Sequence, residues 1–137
     1  MKFRYTQYPL LNGEYIFRPS LPVILRLGAA FLPIRGIIDS GSDLTILPIS
    51  VARFFKLNVS KMHREVIQAV GGNNVLLYQC NLRLEHIVSS RGFRDMSWKC
   101  PIYFSESQSF ALLGQKGFFD HLDVNLSWRR KEIEITM

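Results

Sequence analysis

Gly36-Ile37-Ile38-Asp39-Ser40-Gly41-Ser42-Asp43-Leu44-Thr45-Ile46-Leu47-Pro48 delivers one carboxylate, Asp39, from an apolar β-type run into a tight turn of small residues. A carboxylate presented in this way suits chemistry in which two such groups share one proton. One then acts as base on a water while the other, protonated, polarises a carbonyl. The chain carries the loop once, so the second carboxylate must come from a second copy, and a closed two-fold dimer supplies it by setting Asp39 against its symmetry mate. At 137 residues the chain, 1–137, is a single domain with room for one such lobe and not for two.

Working outward, Leu21 to Leu27 and Phe31 to Ile38 read as strands around the Gly28-Ala29-Ala30 turn, and Leu44 to Leu47 continues after the loop. Pro48 suits a first helical turn, and Ile49, Ala52, Phe54 and Phe55 fall at helical spacing, which predicts a short helix over Ile49 to Phe55. Further strands are expected at Glu65 to Ala69, Val75 to Leu84, Trp98 to Phe104, Leu122 to Ser127 and Glu132 to Thr136, with a second helix over Gly114 to His121. Ala69-Val70-Gly71-Gly72-Asn73-Asn74 reads as a glycine-tipped hairpin. The sum is an all-β, barrel-like lobe with one or two short helices.

Taken in order and spacing, the Asp39-Ser40-Gly41-Ser42-Asp43 loop, the glycine-tipped hairpin and Leu112-Leu113-Gly114 resemble the retropepsin-like aspartic protease family. The resemblance runs from roughly Leu21 to Ile135, and Leu113-Gly114-Gln115-Lys116-Gly117-Phe118-Phe119-Asp120-His121 is most similar to prokaryotic single-domain members. It implies a homodimeric aspartic endopeptidase that hydrolyses peptide bonds with a water held between two Asp39 carboxylates, with no cofactor and no metal. Asp39 would be catalytic, with Ser40, Gly41 and Ser42 supporting the loop and the Ser40 hydroxyl bonding across the two-fold. Gly41, Asp43, Val70, Gly71 and Gly72 would contact a substrate bound as an extended strand, the last three as a flap. Leu112, Leu113 and Gly114 would brace the loop from behind, while Ile38, Val70 and Leu112 are candidate pocket walls. In the family an Arg just after the brace glycine often steadies the acidic position; here that residue is Gln115, which leaves Asp43 without its cation unless Lys116 or another base reaches it. Each residue also has a plainer reading: Asp39 as a solvated turn residue, Ser40 and Asp43 as local turn formers, the hairpin as a surface hairpin, and the pocket walls as core.

Composition narrows the alternatives. With 47% hydrophobic residues, ten Phe and two Trp, the chain is globular rather than disordered. Its apolar runs fall well under the roughly 18 residues of a membrane span, and Met1-Lys2-Phe3-Arg4-Tyr5 lacks the apolar core of a signal peptide, so a cytoplasmic location without membrane association is expected. Cys80 and Cys100 form no Cys-x-x-Cys pair, and His63, His86 and His121 are scattered, a pattern that predicts buried thiols and no metal site. The net charge of +6 is dispersed over Arg4, Arg18, Arg53, Arg64, Arg83, Arg91 and Arg94, with Arg129-Arg130-Lys131 the one run, which reads as a solvated surface rather than a nucleic-acid face. A catalytically weak or inactive dimeric module of the same fold, clamping extended peptides, is the competing function; the intact Asp39-Ser40-Gly41 favours the enzyme.

Overall fold

The computed structural model describes residues 1–86 and 96–136, so Arg91 and Arg94 lie outside the described residues. In chain order the elements are β1 (Lys2–Arg4), β2 (Thr6–Pro9), β3 (Tyr15–Arg18), β4 (Ser20–Leu27), β5 (Ala30–Ile38), β6 (Ile46–Pro48), α1 (Ile49–Phe54), a 3-10 turn (Val59–Lys61), β7 (His63–Gln68), β8 (Asn74–His86), β9 (Ser97–Ser105), β10 (Ala111–Leu113), β11 (Asp123–Ser127) and β12 (Glu132–Thr136).

The alternation of apolar residues decides which face each strand buries. In β4 the inward set is Leu21, Val23 and Leu25, in β8 Leu82 and Leu84, and in β9 Trp98, Cys100, Ile102 and Phe104, all in one core. Full burial of each aliphatic or Phe side chain stabilises the fold by about 1.5–3 kcal/mol. The strands pair in the order β4-β5-β10-β6-β9-β8, and β8 then closes back on β4 through Val23↔His86 to Arg26↔Arg83. The ring is therefore a closed barrel with no free edge between those six strands. The long β8 makes this possible, because its first half, Asn74 to Gln79, pairs with β7 and its last residues pair with β4. Outside the ring, β12 lies between β1 and β11 and sends Ile133 and Ile135 into the core.

Two departures from the sequence reading have local causes. The segment 114–121 is a chain of turns, not a second helix. Phe119 N bonds Gly114 O and Asp120 N bonds Gln115 O, each across five residues, and Gly117 sits at φ +100°, outside the right-handed region. Phe118 is nonetheless fully buried, and the Trp98 indole ties the segment down by donating to Gly117 O at 2.8 Å. The second departure is at the front of the chain, where three short strands precede the predicted ones. Of these β2 and β3 form a separate two-stranded hairpin, anchored by Ser20 Oγ to Thr6 Oγ1 at 2.8 Å and by Arg35 Nη1 to the same oxygen at 2.9 Å.

Candidate active site

Asp39 follows directly on β5, and two neighbours hold its loop. The main-chain N–H of Asp39 donates to Leu113 O at 3.0 Å, while Ser42 N closes the turn onto Asp39 O at 3.1 Å. The carboxylate is oriented from within the loop, since Gly41 N donates to Asp39 Oδ1 at 3.0 Å. A Cβ at Gly41 would stand 3.2 Å from that same oxygen, so a larger residue there presses on the carboxylate. Ser40 is exposed, and its carbonyl accepts from the Gln115 side-chain amide at 2.8 Å. Ser42 turns its hydroxyl inward to Leu44 O at 2.7 Å.

The support behind the loop comes from β10, inserted between the strands that flank it. It runs parallel to β5, with Leu112 beside Ile37, and antiparallel to β6, with Leu112 beside Ile46. Gly114 follows, so close to the loop that a Cβ would meet Leu44 O at 2.1 Å and Ser42 O at 2.7 Å. Its buried N–H donates to Thr45 Oγ1 at 3.1 Å. Thr45 is fully buried, and its hydroxyl is the acceptor that lets Gly114 approach.

The register also corrects one pocket assignment. Aligned residues of neighbouring strands share a face, so Leu113 goes with Ile38 and both enter the core, whereas Leu112 goes with Ile37 and Ile46 to the other side. Ile38, expected as a pocket wall, is therefore core; Leu112 and Val70 line a groove.

That groove, of about 740 Å³, runs between the Asp39 loop and the hairpin formed by β7 and β8. Asp39, Gly41, Ser42 and Asp43 form one wall, Glu65, Ile67, Gln68, Ala69, Val70, Asn73, Asn74 and Val75 the other, and Ser105, Ser107 and Gln108 an end. Its apolar lining is continuous with a small second cluster of Ile46, Leu77 and Tyr103, joined by Leu44, Ile67 and Val75. At the hairpin tip Gly72 N bonds Ala69 O at 3.0 Å, Ala69 N bonds Asn73 O at 2.8 Å, and Gly71 and Gly72 adopt φ of +98° and +85°. Only glycine holds these angles without strain. Gly71 and Gly72 shape the tip without lining the groove, while Val70, next to Gly71, lines it and is fully exposed.

Asp43 sits on the groove and makes no ion pair among the described residues. Gln115 bonds Ser40 instead, and Lys116 gives its main-chain N–H to Asp43 O at 2.9 Å while its ammonium lies 6.0 Å from the Tyr103 ring centroid. Sequence reading did not single out Glu65, Gln108 or the Gln115–Ser40 bond. Glu65 carries a legible signal only in retrospect, as the residue two before Ile67 on the same face of a strand.

A closed barrel carrying one carboxylate loop, braced by an inserted strand and faced by a glycine-tipped hairpin, is a retropepsin-like fold. Solved structures share it. A retropepsin-like aspartic protease from Rickettsia conorii superposes with a TM-score of 0.59 at 11% identity, covering 99% of this chain and 98% of that one. The EIAV protease complexed with the inhibitor HBY-793 gives a TM-score of 0.52 at 20% identity, over 72% of this chain and 82% of that one. No protein-family model matches the chain, and no curated protein matches it. Among the described residues no helix is long and apolar enough to cross a membrane, and no three His, Cys, Asp or Glu side chains converge on a metal site.

Proposed function

We propose that the chain is one half of a homodimeric aspartic endopeptidase, with Asp39 as its catalytic carboxylate. The observation that carries this reading is the position of Asp39: tethered to β10 through Leu113 O, with Oδ1 fixed by Gly41 N, on the wall of a groove faced by a glycine-tipped hairpin. One carboxylate cannot serve as base and acid at once, so the working site needs the symmetry mate. In the dimer one Asp39 takes a proton from water as the water attacks the peptide carbonyl. The other, protonated, donates to the developing oxyanion, and the pair then returns a proton to the leaving amine. The substrate lies extended, its main chain bonded to the loop and to the hairpin, with the exposed Val70 closing over it.

The test is peptide hydrolysis by wild type and by Asp39→Asn, which keeps the shape and removes the ionisable group. A peptide library read by mass spectrometry should show cuts with wild type and background with the variant, and activity per chain should fall on dilution as the dimer dissociates. Cleavage retained by Asp39→Asn would refute the assignment. An inert wild type that still binds extended peptides would support the binding module instead.

A further inference from the structure

The groove is acidic in a basic protein. Its described lining holds the carboxylates of Asp39, Asp43 and Glu65 and no Lys, Arg or His, although the chain carries a formal net charge of +6. Asp39 is used by the chemistry; the other two are not. Asp43 makes no ion pair among the described residues: the Gln115 side chain bonds Ser40 O, and the Lys116 ammonium lies over the Tyr103 ring. Glu65 has His63 at 3.4 Å, a partner charged only if protonated.

The direction of Glu65 follows from the pleat. In β7 Glu65 and Ile67 are half-buried while Arg64, Val66 and Gln68 are exposed, so Glu65 shares the groove face with Ile67 and stands two residues, about 6.6 Å, further from the hairpin tip. Ile67 belongs to an apolar patch with Val75, Leu77 and Ile46. An extended peptide has the same rise and the same period of two. A side chain seated on that patch therefore brings the next side chain of the same face to the Glu65 carboxylate.

Building on the peptidase reading of this groove, we propose that Glu65, with Asp43 adding to the field from the loop side, selects a basic residue, so that preferred substrates carry Lys or Arg two positions outward from an apolar side chain held by Ile67, Val75 and Leu77. The carboxylates that make this choice stand apart from the reacting pair. They act on which peptide is held, not on how its bond is cut.

Three peptides, identical except for Lys, Gln or Glu at that outer position, test it through two readouts. One is kcat/KM on wild type, and the other is binding of the fluorescently labelled peptides to Asp39→Asn, which requires no turnover. A half-exposed ion pair predicts that Lys is preferred to Gln by about fivefold, and to Glu by about tenfold or more, in 50 mM salt, with the preference shrinking at 500 mM. Glu65→Gln should bring the Lys-to-Gln ratio within about twofold, and Glu65→Lys should turn the preference toward Glu. A wild-type ratio under about twofold, or a Lys preference that survives Glu65→Gln, overturns the inference. If wild type cuts none of the peptides the endopeptidase reading fails, yet the binding ratio still decides this one; absence of discrimination there overturns it as well.

Discussion

Replacing Gly114 by Ala isolates the contact on which the loop architecture depends. The new Cβ would lie 2.1 Å from Leu44 O, 2.6 Å from Leu44 C and 2.7 Å from Ser42 O. All three are main-chain atoms, so no rotamer change relieves the overlap, and the 114–116 segment must move away from residues 42–45 by about 1 Å to restore van der Waals contact. Four hydrogen bonds cross that gap: Gly114 N to Thr45 Oγ1 at 3.1 Å, Gln115 N to Ser42 O at 2.8 Å, Lys116 N to Asp43 O at 2.9 Å and Thr45 N to Lys116 O at 3.0 Å. An extra ångström takes each beyond useful range. At about 0.5–1.5 kcal/mol apiece their loss amounts to roughly 2–6 kcal/mol, the upper part of which exceeds ordinary overpacking. For a chain of this length about 3 kcal/mol corresponds to a fall in Tm of roughly 10 °C. Thermal melts of wild type and Gly114→Ala, followed by circular dichroism, measure this directly. Below the lowered Tm, peptide cleavage should still fall by about a hundredfold, because moving Gly114 also moves the peptide group it shares with Leu113, whose carbonyl anchors Asp39 N. A Gly114→Ala protein within about 1 kcal/mol of wild type would show instead that the close approach contributes nothing to stability.

Thr45→Val keeps the shape but leaves the buried Gly114 N–H without its acceptor, and it should lower stability by about 1–3 kcal/mol in urea titrations with unchanged m, whereas Thr45→Ser should lose less than about 1 kcal/mol. Burial above all, with the nearby Asp120 charge, pushes the Cys100 thiol from 9.0 up to about 12, so iodoacetamide at pH 8 should label the half-exposed Cys80 in the folded protein and spare Cys100. The same shift fixes a sign. The unfolded thiol ionises first, so the stabilisation linked to Cys100 is whole below pH 9 and is lost as pH rises from 9 toward 12; urea midpoints should fall across that window in wild type and fall less in Cys100→Ala.

The Asp39 loop was legible because its signal is local: small turn residues after an apolar run need no distant partner to be recognised. The same holds for α1, where Ile49, Val51 and Ala52 supply the buried face. What escaped was set by partners far along the chain. β1 pairs with β12 across the whole sequence, Lys2 opposite Glu134, and no feature of Lys2-Phe3-Arg4 announces a strand. The segment 114–121 was expected as a helix, yet Gly117 at positive φ and the tie from Trp98 hold Phe118 in the core without one. Ile38 was misplaced by one step of the pleat, because which of Ile37 and Ile38 faces inward depends on the register with β10, some 75 residues away. Glu65 went unnoticed for a related reason: an acid in a half-exposed strand gains meaning only once the hairpin has a groove beneath it.

The arrangement explains how a short chain can hold the Asp39 loop still. A loop between two strands that merely flanked it would be free to breathe; here the two flanking strands are separated by β10, and several main-chain groups of the loop find partners in residues 113–116. Asp39 N goes to Leu113 O, Ser40 O to the Gln115 amide, and Ser42 O to Gln115 N, so the barrel places the loop while the turn, through Gly41 N on Asp39 Oδ1, orients the carboxylate. Ser40 and Gly41, by contrast, remain exposed at the point where the chain reverses. Folding thus supplies the placement of one carboxylate, and in the proposed dimer the exposed face at Ser40 and Gly41 is the one that meets a second Asp39 loop. On the proposed reading the reaction then draws its preorganisation from two separate sources: the barrel, which acts at any protein concentration, and association, which does not.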